Sequence, residues 1–248
     1  MVEIYKTNSP KKWAKQAQHN NIMKQTSKIV LTLLTLLSIR VLNGQVIQSI
    51  GIKSGLCISN QEWHIKSLNK TLETENRTGF YSAVTLDFFK SKYFNFTTDI
   101  GYIQKGSQKK IPYTTVSMPE GDGTYVTNQT QFNYFILSPI FKIKYETKHI
   151  IPYAILGGKL DYQLSYQSDM NLQYNDRNLN KAIWGLTSGA GVAYRIKSMG
   201  INAEFQHYYD FTKLIDTPST PTNAGLSILN RAYIINLGIQ YYLHKRTP

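Results

Sequence analysis

The chain has 248 residues, 42% hydrophobic and 12% aromatic, and its 28 Lys and Arg against 15 Asp and Glu give a formal net charge of +13. That length suits one domain, and a single cysteine, Cys57, excludes an intramolecular disulfide and zinc sites of the CxxC type. The basic residues are not gathered into an aromatic-interleaved stripe, which argues against nucleic-acid binding.

In chain order, residues 1–22 are polar and include Lys6, Lys11, Lys12 and Lys15. Met23, Lys24 and Lys28 then lead into an apolar run over 29–39, and Gly44 supplies a small residue at a cleavage point. Residues 23–44 therefore read as a secretory signal peptide, with Met23 as the true start and 1–22 as a mis-assigned extension. The apolar run is far shorter than the roughly 20 residues of a membrane-spanning helix. Seven of the basic residues and one acid, Glu3, precede Gln45, so residues 45–248 keep 21 basic and 14 acidic residues and a net charge of +7.

From Gln45 to the end the pattern has period two, the signature of half-exposed strands. Strand one (49–59) sets Ile50, Ile52, Leu56 and Ile58 against Gly51, Lys53, Gly55 and Cys57. Strand two (79–89) sets Phe80, Val84, Leu86 and Phe88 against Tyr81, Ala83, Thr85 and Asp87, with a turn at Lys90, Ser91 and Lys92. Strand three follows at once, with Phe94, Phe96, Thr98, Ile100 and Tyr102 opposite Asn95, Thr97, Asp99, Gly101 and Lys105. After a polar stretch, strand four sets Phe135, Leu137, Pro139, Phe141, Ile143 and Tyr145 against Tyr134, Ile136, Ser138, Ile140, Lys142 and Lys144. Past a turn at Thr147, Lys148 and His149, strand five alternates Ala154, Leu156, Leu160, Tyr162, Leu164 and Tyr166 with Tyr153, Gly157, Lys159, Asp161 and Gln163.

Strand six places Trp184, Leu186, Ala190, Val192, Tyr194 and Ile196 opposite Gly185, Thr187, Gly189, Gly191 and Arg195, and turns over 197–200. Strand seven alternates Ile201, Ala203, Phe205, His207 and Tyr209 with Asn202, Glu204, Gln206, Tyr208 and Asp210. Strand eight alternates Tyr233, Ile235, Leu237, Ile239, Tyr241 and Leu243 with Asn236, Gly238, Gln240 and Tyr242. Short turns follow strands two, four and six. The polar stretches 61–77, 106–130, 167–181 and 212–227 read as long loops at the opposite end, the natural place for adhesion or partner contacts. The predicted fold is all-β, an eight-stranded antiparallel up-and-down transmembrane β-barrel over 45–248 in the bacterial outer membrane, because only a closed barrel satisfies every backbone group of a strand in lipid.

Alternation alone also fits a soluble barrel with an apolar lumen. Charges of both signs on the polar faces, and aromatic residues near the ends of the apolar ones (Tyr102, Tyr145, Tyr166, Trp184, Tyr194, Tyr233, Tyr241), point to apolar side chains facing lipid. Residues 102–107, the Ile151, Pro152, Tyr153 run with Gly157 and Gly158, and the closing strand resemble the PorT-like outer-membrane β-barrel proteins of Bacteroidota-type bacteria. The resemblance implies an eight-stranded outer-membrane barrel and no shared activity; one member is linked to secretion. Residues 244–248 depart from the usual aromatic-terminated assembly signal.

The inward charges Lys53, Asp87, Asp99, Lys142, Lys144, Lys159, Asp161, Arg195 and Glu204 form the candidate site, read as a network that pairs across strands in an interior just wide enough for side chains. No catalytic, cofactor or metal site is expected: the five histidines show no ligand spacing, His207 has Tyr209 rather than serine two residues on, and Glu120 and Asp122 lack the ligands of a calcium loop. The expected function is a non-enzymatic structural or partner-binding barrel, in secretion or adhesion. The alternatives are a narrow, porin-like solute channel and, behind it, a lipid-modifying enzyme. The expected partners are outer-membrane lipids and lipopolysaccharide, the barrel-assembly machinery, and a surface or periplasmic protein.

Overall fold

The computed structural model describes residues 47–89, 91–114, 123–147, 149–169, 179–221 and 224–243. Residues 23–44, read from the sequence as a signal peptide, Glu120 and Asp122, and residues 244–248 lie outside them. Among the described residues, ten strands appear in chain order: β1 (Ile47–Ile65), β2 (Lys70–Leu72), β3 (Glu75–Phe88), β4 (Phe94–Pro112), β5 (Tyr125–Lys144), β6 (Ile150–Ser168), β7 (Ala182–Ile196), β8 (Met199–Asp210), β9 (Ile215–Asp216) and β10 (Leu226–Tyr242). Eight are long and pair antiparallel with both neighbours. The ladder of β1 with β10, from Ser49 opposite Tyr242 to Ile65 opposite Leu226, closes the ring. The short strands β2 and β9 add to β1 and β10 at the long-loop end.

Burial separates the two faces. Ile52, Ile143 and Leu237 point outward and are 64%, 67% and 65% exposed, whereas Lys53, Lys142 and Asn236 beside them are 2%, 5% and 1% exposed. An apolar exterior around a polar interior is stable only with hydrocarbon outside, so the lipid-facing reading holds over the soluble one. Pro139, which has no N–H to donate, faces outward on β5, and the β5–β6 pairing resumes in the same register on either side of it.

Three expectations differ from the structure. The stretches read as loops are in large part strand: β4 and β5 stay paired as far as Pro112 opposite Tyr125, and β1 runs on to Ile65. Over 107–110 and 127–131 the residues on both faces are polar, with Gln131 outside and Ser107 and Thr130 inside, so the hydrophobic alternation disappears while the backbone ladder continues. The alternation of strand five places Tyr166 on the lipid face. The β5–β6 register shifts across Leu164, from Tyr134 opposite Gln163 to Asn133 opposite Ser165, and this bulge reverses the side on which later residues lie. Tyr166 consequently turns inward and stacks on Phe132 at 5.5 Å between ring centroids.

The β8–β10 connection is not simply an outward polar loop either. Leu214 and Ile215 are fully buried and cap the lumen at the long-loop end, held by Leu214 N–H donating to the Ile228 carbonyl at 2.8 Å. The segment is tied to the β1–β2 turn by Lys66 N–H to the Gly225 carbonyl, Ser67 N–H to the Ala224 carbonyl, and a Lys66–Asp216 ion pair at 2.6 Å. The hydrogen bond from Lys66, with Lys213 close by, holds the Asp216 carboxyl below the ordinary carboxylate range. A carboxyl whose pKa is depressed by folding contributes stability above its unfolded value and loses it as pH falls through the folded one. The latch should therefore persist at neutral pH and release only in acid. Carboxyl NMR of Lys66→Ala should show the Asp216 midpoint moving up toward 3.8; an unmoved midpoint would mean that Lys66 does not hold it.

Candidate functional site

Inward parity on successive strands, combined with the stagger of a closed barrel, brings charges from distant strands to common levels. Toward the short-turn end, Lys53 Nζ lies 2.9 Å from Asp99 Oδ2 and 2.9 Å from Glu204 Oε2. Glu204 also receives Lys142 Nζ at 3.0 Å, the Tyr153 hydroxyl at 2.7 Å and the Gln206 side-chain amide at 2.7 Å. Five strands, β1, β4, β5, β6 and β8, thus meet at one carboxylate and its partners. Tyr153 can lie across the lumen because Gly191 opposes it: a Cβ at that position would stand 2.6 Å from the phenol ring. Asp87 is held by neutral donors, Thr97 at 2.6 Å, Gln240 at 2.7 Å and Ser49 at 2.8 Å.

A second charged level lies nearer the long-loop end. Lys105 and Lys159 both approach Asp161 Oδ2 at 2.5 Å, while Asp210 Oδ1 is 2.5 Å from Lys159 and 3.4 Å from Lys105. Two ammonium groups and two carboxylates balance, which is the condition for keeping charges away from water. Both lysines also face the Tyr208 ring, at 5.4 and 5.2 Å from its centroid. Ile103, Phe132, Ile183 and Ile228 belong to one buried apolar cluster around this level, with Phe132 opposite Lys105 and Ile183 opposite Asp161. Gln61 then closes the section: its side-chain oxygen accepts from Ser107 at 3.0 Å, Thr130 at 2.8 Å and Trp63 at 3.3 Å, and its amide donates to Asn230 at 2.9 Å.

Of the nine residues proposed from sequence, Lys53, Asp99, Lys142 and Glu204 lie in the first level and Lys159 and Asp161 in the second. Asp87 sits among hydroxyl and amide donors. Lys144 pairs with Glu146 at 2.9 Å close to the short-turn end. Arg195 is half-buried at that mouth, stacked on Tyr242 at 3.9 Å, with its Nε donating to the Lys197 carbonyl at 3.2 Å. Lys105 and Asp210 are additional members; their inward parity on strands three and seven was the available signal. Gln61 carried none, lying at the start of a stretch read as loop. His207 lies on the outer face, stacked on Tyr233 at 4.8 Å.

Among the described residues, the inward side chains of both charged levels are buried. At the short-turn mouth, between Lys142, Tyr153 and Tyr242, a cavity of about 30 Å³ remains, room for about one water molecule. Every carboxylate in the two levels faces ammonium or hydroxyl donors, and among the described residues no group of three His, Cys, Asp or Glu side chains is placed to hold a metal.

Residues 43–216 match the family model described as an outer membrane protein beta-barrel domain. Among solved structures, the chain is similar to OprG from Pseudomonas aeruginosa (9% identity, 80% of this chain and 98% of that one, TM-score 0.42). It is also similar to Neisserial surface protein A (12%, 78% and 97%, TM-score 0.42) and to the outer membrane protease OmpT of Escherichia coli (7%, 79% and 97%, TM-score 0.42). No curated protein matches it.

Proposed function

The chain belongs to the outer membrane protein β-barrel domain family and sits in the bacterial outer membrane, and from its filled lumen we propose that it is a non-enzymatic, non-conducting barrel that binds a partner outside the membrane. One observation carries this reading. Two levels of paired charge, an apolar layer, the Gln61 brace and the Leu214–Ile215 cap occupy the space a solute would need. The material above the apolar band supports it too. Past Tyr102 and Phe135 the exterior turns to Gln104, Asn133 and Gln131, so β4 and β5 continue as a polar-faced extension beyond the lipid. Eight strands would anchor the chain, and the extension would make the contact. Adhesion or a part in secretion, kinship with PorT-like barrels, lipopolysaccharide around the band and delivery by the barrel-assembly machinery all belong to this proposal.

The test is planar-bilayer conductance of protein whose gel mobility shifts on boiling, the mark of a folded barrel. The expected result is no current above the lipid background. Stable single-channel steps from the folded form would sink the non-conducting reading in favour of a solute path.

A further inference from the structure

We propose that the concave inner face of the extension, above the Gln61 brace, is a binding site for a neutral oligosaccharide. This deepens the reading of a barrel that works outside the membrane and rests on it. The site is a cleft of about 400 Å³, within the roughly 300–1,000 Å³ range of small-ligand pockets. Its apolar lining is Trp63 on β1, Leu72 on β2 and Ile111 on β4; its polar lining is Thr74, Lys109, Asn128 and Asp169. The strand register groups these walls: Trp63 pairs with Leu72, and Lys109 with Asn128.

Trp63 is the organising residue. Its Nε1–H is already committed to Gln61 Oε1 at 3.3 Å, and the ring packs against the buried cluster below, so its orientation is set before any ligand arrives. Having spent its hydrogen bond, the indole offers an apolar surface. Asp169 is likewise fixed, its N–H donating to the Gln129 carbonyl at 2.9 Å and its Oδ2 accepting from Gln129 N–H at 3.4 Å. Lys109 and Asp169 carry opposite charges and the other lining residues are neutral, so the cleft has no net charge with which to select an anion or a cation.

Three ligand classes can be weighed against this lining. A wholly apolar tail would strip water from Lys109, Asn128, Thr74 and Asp169 without replacing its hydrogen bonds. A polyanion would find Asp169 set against it. A sugar ring has a C–H face to lie on the indole and hydroxyls at its edge that can donate to Asp169 and to the Thr74 oxygen and accept from Lys109 and Asn128, and it carries no charge.

The experiment is calorimetric titration of the full chain, folded in a zwitterionic detergent that has no sugar headgroup, with linear trisaccharides of glucose, mannose and N-acetylglucosamine and with a sulfated trisaccharide. Saturable binding of at least one neutral sugar is expected, weakened at least tenfold by Trp63→Ala and by Asp169→Ala and unaltered by Trp184→Phe on the lipid face. If Trp63→Ala gives no heat-shifted band, Asn128→Ala on the opposite wall takes its place with the same expectation. The inference is overturned if no neutral trisaccharide binds, if the sulfated one binds more tightly, or if the cleft variants bind as well as the parent. Conductance of the same preparation separates the two readings: a current overturns the non-conducting barrel whatever the sugars do, whereas a silent barrel that ignores sugars overturns only the site.

Discussion

Replacing Asp161 with leucine should lower the unfolding free energy by about 3–5 kcal/mol, the cost of leaving a buried charge without its partner. The carboxylate is fully buried and lies between two ammonium groups, Lys105 and Lys159, each 2.5 Å from the same oxygen. Leucine removes the negative charge and adds no acceptor, so Asp210 alone must balance both lysines. The measurement is the urea midpoint of the heat-shifted band in lipid vesicles. A second variant tells charge from packing: Asp161→Leu with Lys159→Met leaves one ammonium and one carboxylate and should recover most of the loss. A single-variant shift below about 1 kcal/mol, near the ceiling for solvated pairs, would mean that water reaches the level and screens it. The same result would undercut the case for a filled lumen.

Glu204→Leu should cost a similar amount, about 3–5 kcal/mol, at the other level. Lys142, Tyr153 and Gln206 all direct donors at Glu204, and Lys53 would keep only Asp99 among its ion partners. Placed in a Lys142→Met background, the change should cost distinctly less, because the ammonium it would strand is already gone. Among the described residues, no ion pair joins the carboxylates of one level to the ammonium groups of the other, so Asp161→Leu and Glu204→Leu together should add to within about 0.5 kcal/mol. A large coupling would mean that the charges act as one column through the barrel. The additive result would describe two separate braces, each tying its own set of strands.

How much of this was legible beforehand depended on whether burial contrasted the two faces of a strand. Between Ile50 and Ile58, or between Ile201 and Tyr209, lipid outside and charge inside make period two unmistakable, and the inward residues could be named. The same parity already held Lys105 and Asp210, although they were not grouped with the other charges. Where both faces are polar, as over 107–110 on β4 and 127–131 on β5, composition does not separate a strand from a loop, because the ladder there is made by backbone groups common to every residue. Tyr166 shows a different limit. A bulge at Leu164 inserts one residue into the count, and nothing in the order of side chains announces it.

By itself the sequence determined that eight strands cross a membrane, which side chains meet lipid and which meet the interior except past the Leu164 bulge of β6, and which end bears the short turns. Each follows from local alternation and from the demand that a strand in hydrocarbon be paired on both edges. Only the tertiary structure decided that Glu204 meets Lys53 and Lys142, that Asp161 meets Lys105 and Lys159, and that Leu214 and Ile215 fold back over the lumen. Those pairings depend on the stagger with which β1 closes onto β10, on bulges, and on contacts between residues far apart in the chain, Lys53 and Glu204 being 151 positions apart. They are set by how the whole sheet closes, and no local pattern records that.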